Sequence, residues 1–224
     1  MKTRRLVLVG AGLFADVACE YFEAYTDYRV AGFAVERAHK DRDVLFDRPV
    51  VAFEDIETAF PPDQHHAFVA IVYTQMNRVR TRLMATVAAK GYALASFVSD
   101  RAFVAPSAQL GEHCFVFENN VIQSHVRLGD NVVLWSGNHI GHHASLDDNV
   151  FVSSHVVVSG SCRIGRNCFL GVNSAIGDGV TVAEDCWIGP GVTLTGDTKP
   201  RQIHRAPKGE IARADTHRFF KLER

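Results

Sequence analysis

The chain has 224 residues, 47% hydrophobic and 22% charged, with 24 Lys+Arg against 25 Asp+Glu. That is folded-globular composition with room for one large domain or two small ones, and its near-neutral charge supplies no basic field for nucleic acid. No apolar run approaches the ~20 residues of a membrane helix, and five cysteines without Cys-x-x-Cys spacing make neither a disulfide framework nor a zinc ribbon.

Met1 to Arg5 is basic and Leu6 to Ala15 mostly apolar, the outline of a signal peptide. Asp16 follows closely and the segment opens a β–α alternation, so it reads as a first strand and a cytoplasmic location is expected. Leu6-Val7-Leu8-Val9 runs into Gly10-Ala11-Gly12, then a helix carrying Phe14, Val17, Ala18 and Phe22 at helical spacing. Further strands are expected over 28–36, 49–53, 67–73 and 92–98. A second helix is expected over 77–90, stopped by Gly91. Such alternation predicts a parallel sheet covered by helices.

From Val104 the period becomes six. Every sixth residue through Leu194 is Val, Leu or Ile, sixteen in succession. Chance would give such a run roughly six times in a million, so the repeat is real. Four residues after each aliphatic sits a small or branched side chain, and Cys114, Cys162, Cys168 and Cys186 fall in that slot as core fillers. The period predicts a left-handed parallel β-helix: three hexads close one triangular coil, and residues 18 apart stack at ~4.8 Å.

Gly10-x-Gly12-x-x-Ala15 lets phosphate oxygens approach backbone N–H groups at a helix N-terminus, and Glu36 stands where an acidic residue meets a ribose. A nucleotide sugar, NAD and a purely structural turn are all open on these residues. The ~100 residues before the hexads suit a mononucleotide unit better than a full dinucleotide fold. Asn77 and Arg80 open the second helix and stand within reach of a diphosphate, or else cap and solvate it. Five histidines cluster in the coils: His125, His139, His142, His143 and His155. His125 and His143 are 18 apart and stack. His142 stacks between Ser124 and Gly160. A zinc site from His139, His142 and His143 lacks an acidic or Cys ligand, so no metal is expected.

Taken together, the two halves resemble the bacterial nucleotide-sugar N-acetyltransferases grouped with the sialic acid O-acetyltransferase-like proteins. The likeness rests on Val7-Leu8-Val9-Gly10-Ala11-Gly12, Ala31-Gly32-Phe33 with Glu36, Asn77 and Arg80, the hexads, and Ser136-Gly137-Asn138-His139-Ile140-Gly141-His142-His143. It implies a Rossmann-like nucleotide-sugar domain over 1–100, a left-handed β-helix acetyltransferase domain over 101–198, and a tail over 199–224. It also implies a homotrimer with active sites at subunit interfaces. His142, two residues after the inward Ile140, matches the family's general base. His143 replaces the acidic residue that many members carry next.

On this basis His142, His143 and Gly160 are the catalytic candidates, with the Gly160 N–H as oxyanion donor. Substrate contacts are expected from Gly10, Gly12, Leu13, Phe14 and Glu36, from Tyr73, Asn77 and Arg80, and from Asn138 and His139. Acetyl-CoA, the expected co-substrate, would lie along Gly160, Gly171, Ile188 and Gly189, with Lys199, Arg201, Arg205 and Lys208 toward its phosphates. The expected reaction is acetyl transfer to the amine of a UDP-, dTDP- or GDP-linked amino-deoxy sugar for surface glycan precursors. Sugar O-acetylation and non-catalytic nucleotide-sugar binding are the alternatives.

Overall fold

A computed structural model describes residues 2–222, so the last two residues of the expected tail lie outside the described residues. The first part is a six-stranded sheet formed by β1 (Arg4–Val9), β2 (Tyr28–Val35), β3 (Val44–Leu45), β4 (Arg48–Ala52), β5 (His65–Val69) and β6 (Ala93–Leu94). Its order is β3-β4-β2-β1-β5-β6. All neighbours are parallel except the β3–β4 hairpin. Three helices accompany it: α1 (Leu13–Tyr25), the short α2 (Ile56–Ala59) and α3 (Arg78–Ala89). The chain builds outward from β1 through β2 to β4, then returns to β1's other side with β5. That reversal is a topological switch point, where a crevice opens at the strands' carboxyl ends.

Period two sorts β1 between two cores. Leu6 and Leu8 join Phe14, Phe22 and Phe68 on one face, while Val7 and Val9 join Ile56, Leu83 and Val87 on the other. Two expected strands differ in extent. The 67–73 strand instead runs from His65 to Val69, ending where its partner β1 ends at Val9 and gives way to the Gly10 turn. The 92–98 strand divides: β6 closes the sheet, and Phe97–Val98 pairs with Phe115–Val116 as the first strand of the coils.

From there two-residue strands recur every six residues and stack into three parallel sheets. This arrangement and the hexapeptide period fit a left-handed β-helix. All sixteen aliphatics pack inward, and all but Val104 and Leu110 are buried. The companion slot is also interior: Cys114, Cys162, Cys168 and Cys186 are buried and unpaired, as is Cys19 on α1. Burial pushes the Cys114 thiol up to about 11 and Cys168 to about 12, so these are inert fillers. The turn position three residues after each aliphatic from Leu110 to Ile188 has positive φ, and it holds His113, His125, His143 and His155 among Asn, Ser, Asp and Gly. Asn, Asp and His are the side chains that best tolerate this region, which explains most of the coil histidines.

Outward residues give the three faces different characters. The first face presents Phe97, Phe115, Val133, Phe151, Phe169 and Trp187, and α1 covers it in one shared core. Phe151, Phe169 and Trp187 stack as a ladder with centroids 5.7 Å apart. The second face presents Phe103, Val121, His139, Val157 and Ala175, with Phe103 59% and Val157 42% exposed. The third presents Gln109, Arg127, Ser145, Arg163 and Thr181. Among the described residues no helix is long and apolar enough to cross a membrane.

A buried polar network joins the two parts. Arg80 is fully buried, donating Nε to Asn131 Oδ1 at 2.9 Å, NH2 to the Asn131 carbonyl and NH1 to the Ile71 carbonyl. His113 Nδ1 meets the same Asn131 Oδ1 at 2.9 Å, and its Nε2 accepts the Val69 N–H at 2.8 Å. Asn77, also buried, donates to the Asn167 carbonyl. Asn77 and Arg80 are therefore not diphosphate ligands. They fasten α3 to the coils and have no surface to offer a substrate.

Candidate active site

Two regions carry chemistry. The first is a cavity of about 870 Å³ at the carboxyl ends of β1, β2 and β5, lined by Gly10, Gly12, Glu36, Arg42, Thr74, Gln75, Arg78 and Arg82. Gly10 has φ +119°, and a Cβ there would lie 2.9 Å from the Ala70 carbonyl oxygen, so only glycine fits. Gly12 is the N-cap of α1, and its Cβ position meets nothing within 4 Å. A side chain there would not disturb the fold; it would occupy the entrance to the helix N-terminus. Among the described residues the Leu13 and Phe14 amides donate to no group, so a phosphate at this end would find free N–H donors.

Glu36 stands at the end of β2, bound by both guanidinium nitrogens of Arg82 at 2.9 Å. That pairing holds its carboxyl below the usual range, so it is ionised at neutral pH. Arg78 and Arg82 lie one helical turn apart on α3 and both face the cavity. They are the cationic lining that the sequence reading assigned to Asn77 and Arg80. The signal was available: Arg80 shares the i, i+3, i+7 stripe with Leu83 and Val87, the buried face of α3.

Other expected contacts also move. The Phe14 ring is buried against Phe68 and Phe115, and Leu13 is solvent-exposed without lining the cavity, so these two offer only backbone. Tyr73 packs on Phe151 and Phe169 and lines a separate small pocket with Trp135. Asn138 is 1% exposed. Its amide nitrogen donates to the Trp135 carbonyl and its Oδ1 accepts the Val156 N–H, so it is an internal rung between coils and not a substrate contact.

The second region is the corner after the second face. His142 is exposed, and its backbone N–H is fixed by Gln123 Oε1 at 2.8 Å. Its imidazole lies over Gly160 in the next coil. A Cβ on Gly160 would sit 2.7 Å from His142 Cε1, 2.9 Å from Nε2 and 3.0 Å from Asp178 Oδ1. Glycine is what lets the ring settle there, and the Gly160 N–H donates to no group among the described residues. Nδ1 of His142 meets Nδ1 of His143 at 3.2 Å, and the His143 ring packs tilted by 37° against His125 with centroids 4.8 Å apart. His139 sits apart, on the second face beside Val121 and Val157. Asp178 was not singled out from the sequence. Its signal is the column Ser124–His142–Gly160–Asp178 at 18-residue steps.

The expected acetyl-CoA contacts divide. The Ile188 side chain is buried in the coil interior, so only its backbone faces outward. Gly171 is glycine because a Cβ would lie 2.6 Å from the Pro190 nitrogen of the next coil. Gly189 is crowded by the Trp187 ring. A cavity of about 370 Å³ on the last coils is lined by Trp187, Ile203, Arg201 and Arg205. Lys199 and Lys208 lie outside it, so the arginines are the cations beside an apolar surface. No group of three or more His, Cys, Asp or Glu among the described residues could hold a metal ion.

The hexads match the family described as bacterial transferase hexapeptide (six repeats), over residues 125–160 and 161–196. Two solved structures extend the likeness to almost the whole chain. A mutant of perosamine N-acetyltransferase from Caulobacter crescentus, in complex with CoA and GDP-perosamine, has a TM-score of 0.80 and 26% identity. That match covers 88% of this chain and 91% of that one. The acetyltransferase domain of PglB from Neisseria gonorrhoeae has a TM-score of 0.80 and 25% identity, covering 90% and 96%. Among curated protein sequences none matches. The coils thus match the hexapeptide-repeat family, and the fold of nearly the whole chain is similar to that of perosamine N-acetyltransferase and of the PglB acetyltransferase domain.

Proposed function

We propose that this protein is an acetyl-CoA-dependent N-acetyltransferase acting on the amino group of a nucleotide-linked amino-deoxy sugar. The observation that carries the reading is the His142 imidazole seated over Gly160 in a hexapeptide coil, joined in one chain to the Gly10–Gly12 cavity. The first 100 residues act as a Rossmann-like nucleotide-sugar domain, with the diphosphate at the α1 N-terminus and the ribose toward Glu36. The coils to about residue 198 act as the acyl-transfer domain, with acetyl-CoA along the coil edge toward Arg201 and Arg205.

In the reaction the amine nitrogen attacks the thioester carbonyl and His142 Nε2 takes the amine's proton. The Gly160 N–H supports the tetrahedral oxyanion. The carbon–sulfur bond then breaks, and the proton passes to the departing thiolate. Asp178, beside the ring, favours the imidazolium in between. Transfer is direct: the cysteines are buried fillers, so none offers a covalent relay.

The protein acts as a homotrimer. The second face is apolar and uncovered in the single chain, and His142 stands at its edge. Three chains joined by one closed heterologous contact would bury that face and set His142 against the next chain's cavity. Light scattering should give three chains per particle; a monomer would reject the shared site.

The test is CoA release across a panel of UDP-, dTDP- and GDP-linked amino sugars, with the matching hydroxyl sugars as controls. Release with one amino sugar and none with the hydroxyl forms is the expected result. Release with hydroxyl sugars alone would make it an O-acetyltransferase. No release with any would leave it a binding protein.

Gly12→Val separates the two regions. Its side chain enters open space, so the melting temperature should stay within ~2 °C while nucleotide-sugar affinity falls about 10-fold or more. Calorimetry should find CoA affinity unchanged. Loss of CoA binding instead would show that the two ligand sites are exchanged.

A further inference from the structure

We infer that His143 is a positioning residue that sets the tautomer of His142, holding the proton on Nδ1 and leaving Nε2 free over Gly160. The inference rests on the proposed role of His142 as base, and it concerns what makes that base competent. The two Nδ1 atoms are 3.2 Å apart. A hydrogen bond between two imidazole nitrogens holds one proton, so one ring donates and the other accepts. If His143 donated, His142 would carry its proton on Nε2, the nitrogen beside Gly160, and could take none from an amine. If His142 donates, its Nε2 lone pair faces the reacting nitrogen. An incoming amine offers N–H at that point, so only the second arrangement is competent.

The turn explains why the acceptor is held in place. His143 has φ +61°, its N–H donates to the Ser124 carbonyl at 3.0 Å, and its ring packs, tilted, against His125 of the preceding coil. His125 is fixed in the same way, with its N–H bonded to Ser107 Oγ. Asp178 lies on the Gly160 side of the His142 ring, opposite His143. Its charge alone would draw the resting proton to Nε2, the unproductive nitrogen, so the base needs an acceptor at Nδ1. When the amine's proton arrives on Nε2, the Nδ1–H bond to His143 stays in place, and the charge is shared between Asp178 on one side and a neutral acceptor on the other.

The left-handed turn supplies a clean control. Glycine and asparagine both accept φ near +60°, so neither substitution strains the corner. His143→Gly removes the acceptor; His143→Asn restores one through Oδ1. The expected result is a kcat about 10- to 100-fold lower for His143→Gly, the usual size of removing a group that orients a histidine. KM for acetyl-CoA and the melting temperature should be near wild type, and His143→Asn should return to within about 3-fold of wild-type kcat, which a merely structural corner would not predict. ¹⁵N NMR of His142 in the ligand-free protein reads the tautomer without the reaction. Nδ1–H should dominate in wild type and His143→Asn and be lost in His143→Gly. Equal kcat in all three proteins, equal loss in both variants, or an Nε2–H His142 in wild type would each overturn the inference. If wild type itself acetylates nothing, the proposed function fails while the NMR comparison still decides the tautomer.

Discussion

His142→Asn is expected to lower kcat by about 10²–10⁴-fold, the usual cost of removing a general base. In barrier height that is roughly 3–5 kcal/mol. The ring is exposed, lying over the Gly160 backbone and against His143, so the substitution opens no core cavity and the melting temperature should not move. Asn keeps a polar side chain at the corner without a nitrogen that can take a proton at neutral pH. Acetyl-CoA affinity should stay near wild type, because the proposed path of acetyl-CoA runs along the coil edge toward Arg201 and Arg205. Loss confined to kcat identifies a group acting in the transition state. A variant retaining more than half of wild-type kcat would remove His142 from the chemistry. A variant with normal kcat and a raised KM would make it a binding residue instead.

The coil half was the more legible part of the sequence, because a stacked repeat writes the same environment into every sixth position. Val104 to Leu194 and the cysteine slot both pack as their periods require. A second period was present and went unread. Phe97, Phe115, Val133, Phe151, Phe169 and Trp187 recur every 18 residues, which marks one face as covered, and that is the face carrying α1. Isolated side chains were harder. Arg80 looks like a phosphate ligand when only its charge is considered. Its place beside Leu83 and Val87 on the buried stripe decides otherwise. Asn138 read as a substrate contact in the stretch leading to His142, yet it occupies the slot four residues after Leu134, which points inward. His142 was singled out by the resemblance, two residues after the inward Ile140, and in the structure it stands in neither the inward slots nor the left-handed turn position. His113 was passed over because nothing in its neighbours along the chain shows that a strand of the other half will cover it.

Acid should loosen the junction between the two halves, through His113. The ring is fully buried, stacked on Phe68 at 4.5 Å, and burial followed by the nearby Arg80 charge lowers its pKa from 6.5 to about 3. Its hydrogen bonds require the neutral form. Nε2 accepts from the Val69 N–H and so has no room for a proton, and Nδ1–H donates to Asn131 Oδ1. Arg80 donates to the same oxygen, and its remaining partners are carbonyls with no carboxylate among them. Protonating His113 would place a second unpaired cation in the same dry site. A depressed folded-state pKa means that the unfolded chain binds the extra proton first. The stability His113 contributes is therefore complete above pH ~6.5 and falls as pH drops toward about 3. By pH 5 the loss from this group is about 2 kcal/mol. His66 is also lowered by burial and titrates in the same window, and Glu23 and Glu118 follow at lower pH. A difference measurement isolates His113. Urea unfolding of wild type and His113→Asn at pH 7.5 and pH 5.0 should show a steeper fall for wild type, by about 2 kcal/mol, whatever the variant's stability at pH 7.5. Asn accepts the φ of +56° at this turn, so the comparison adds no backbone strain. Parallel slopes for the two proteins would mean that the ring is not held neutral by the fold, and the Arg80–Asn131–His113 junction would lose its role in acid sensitivity.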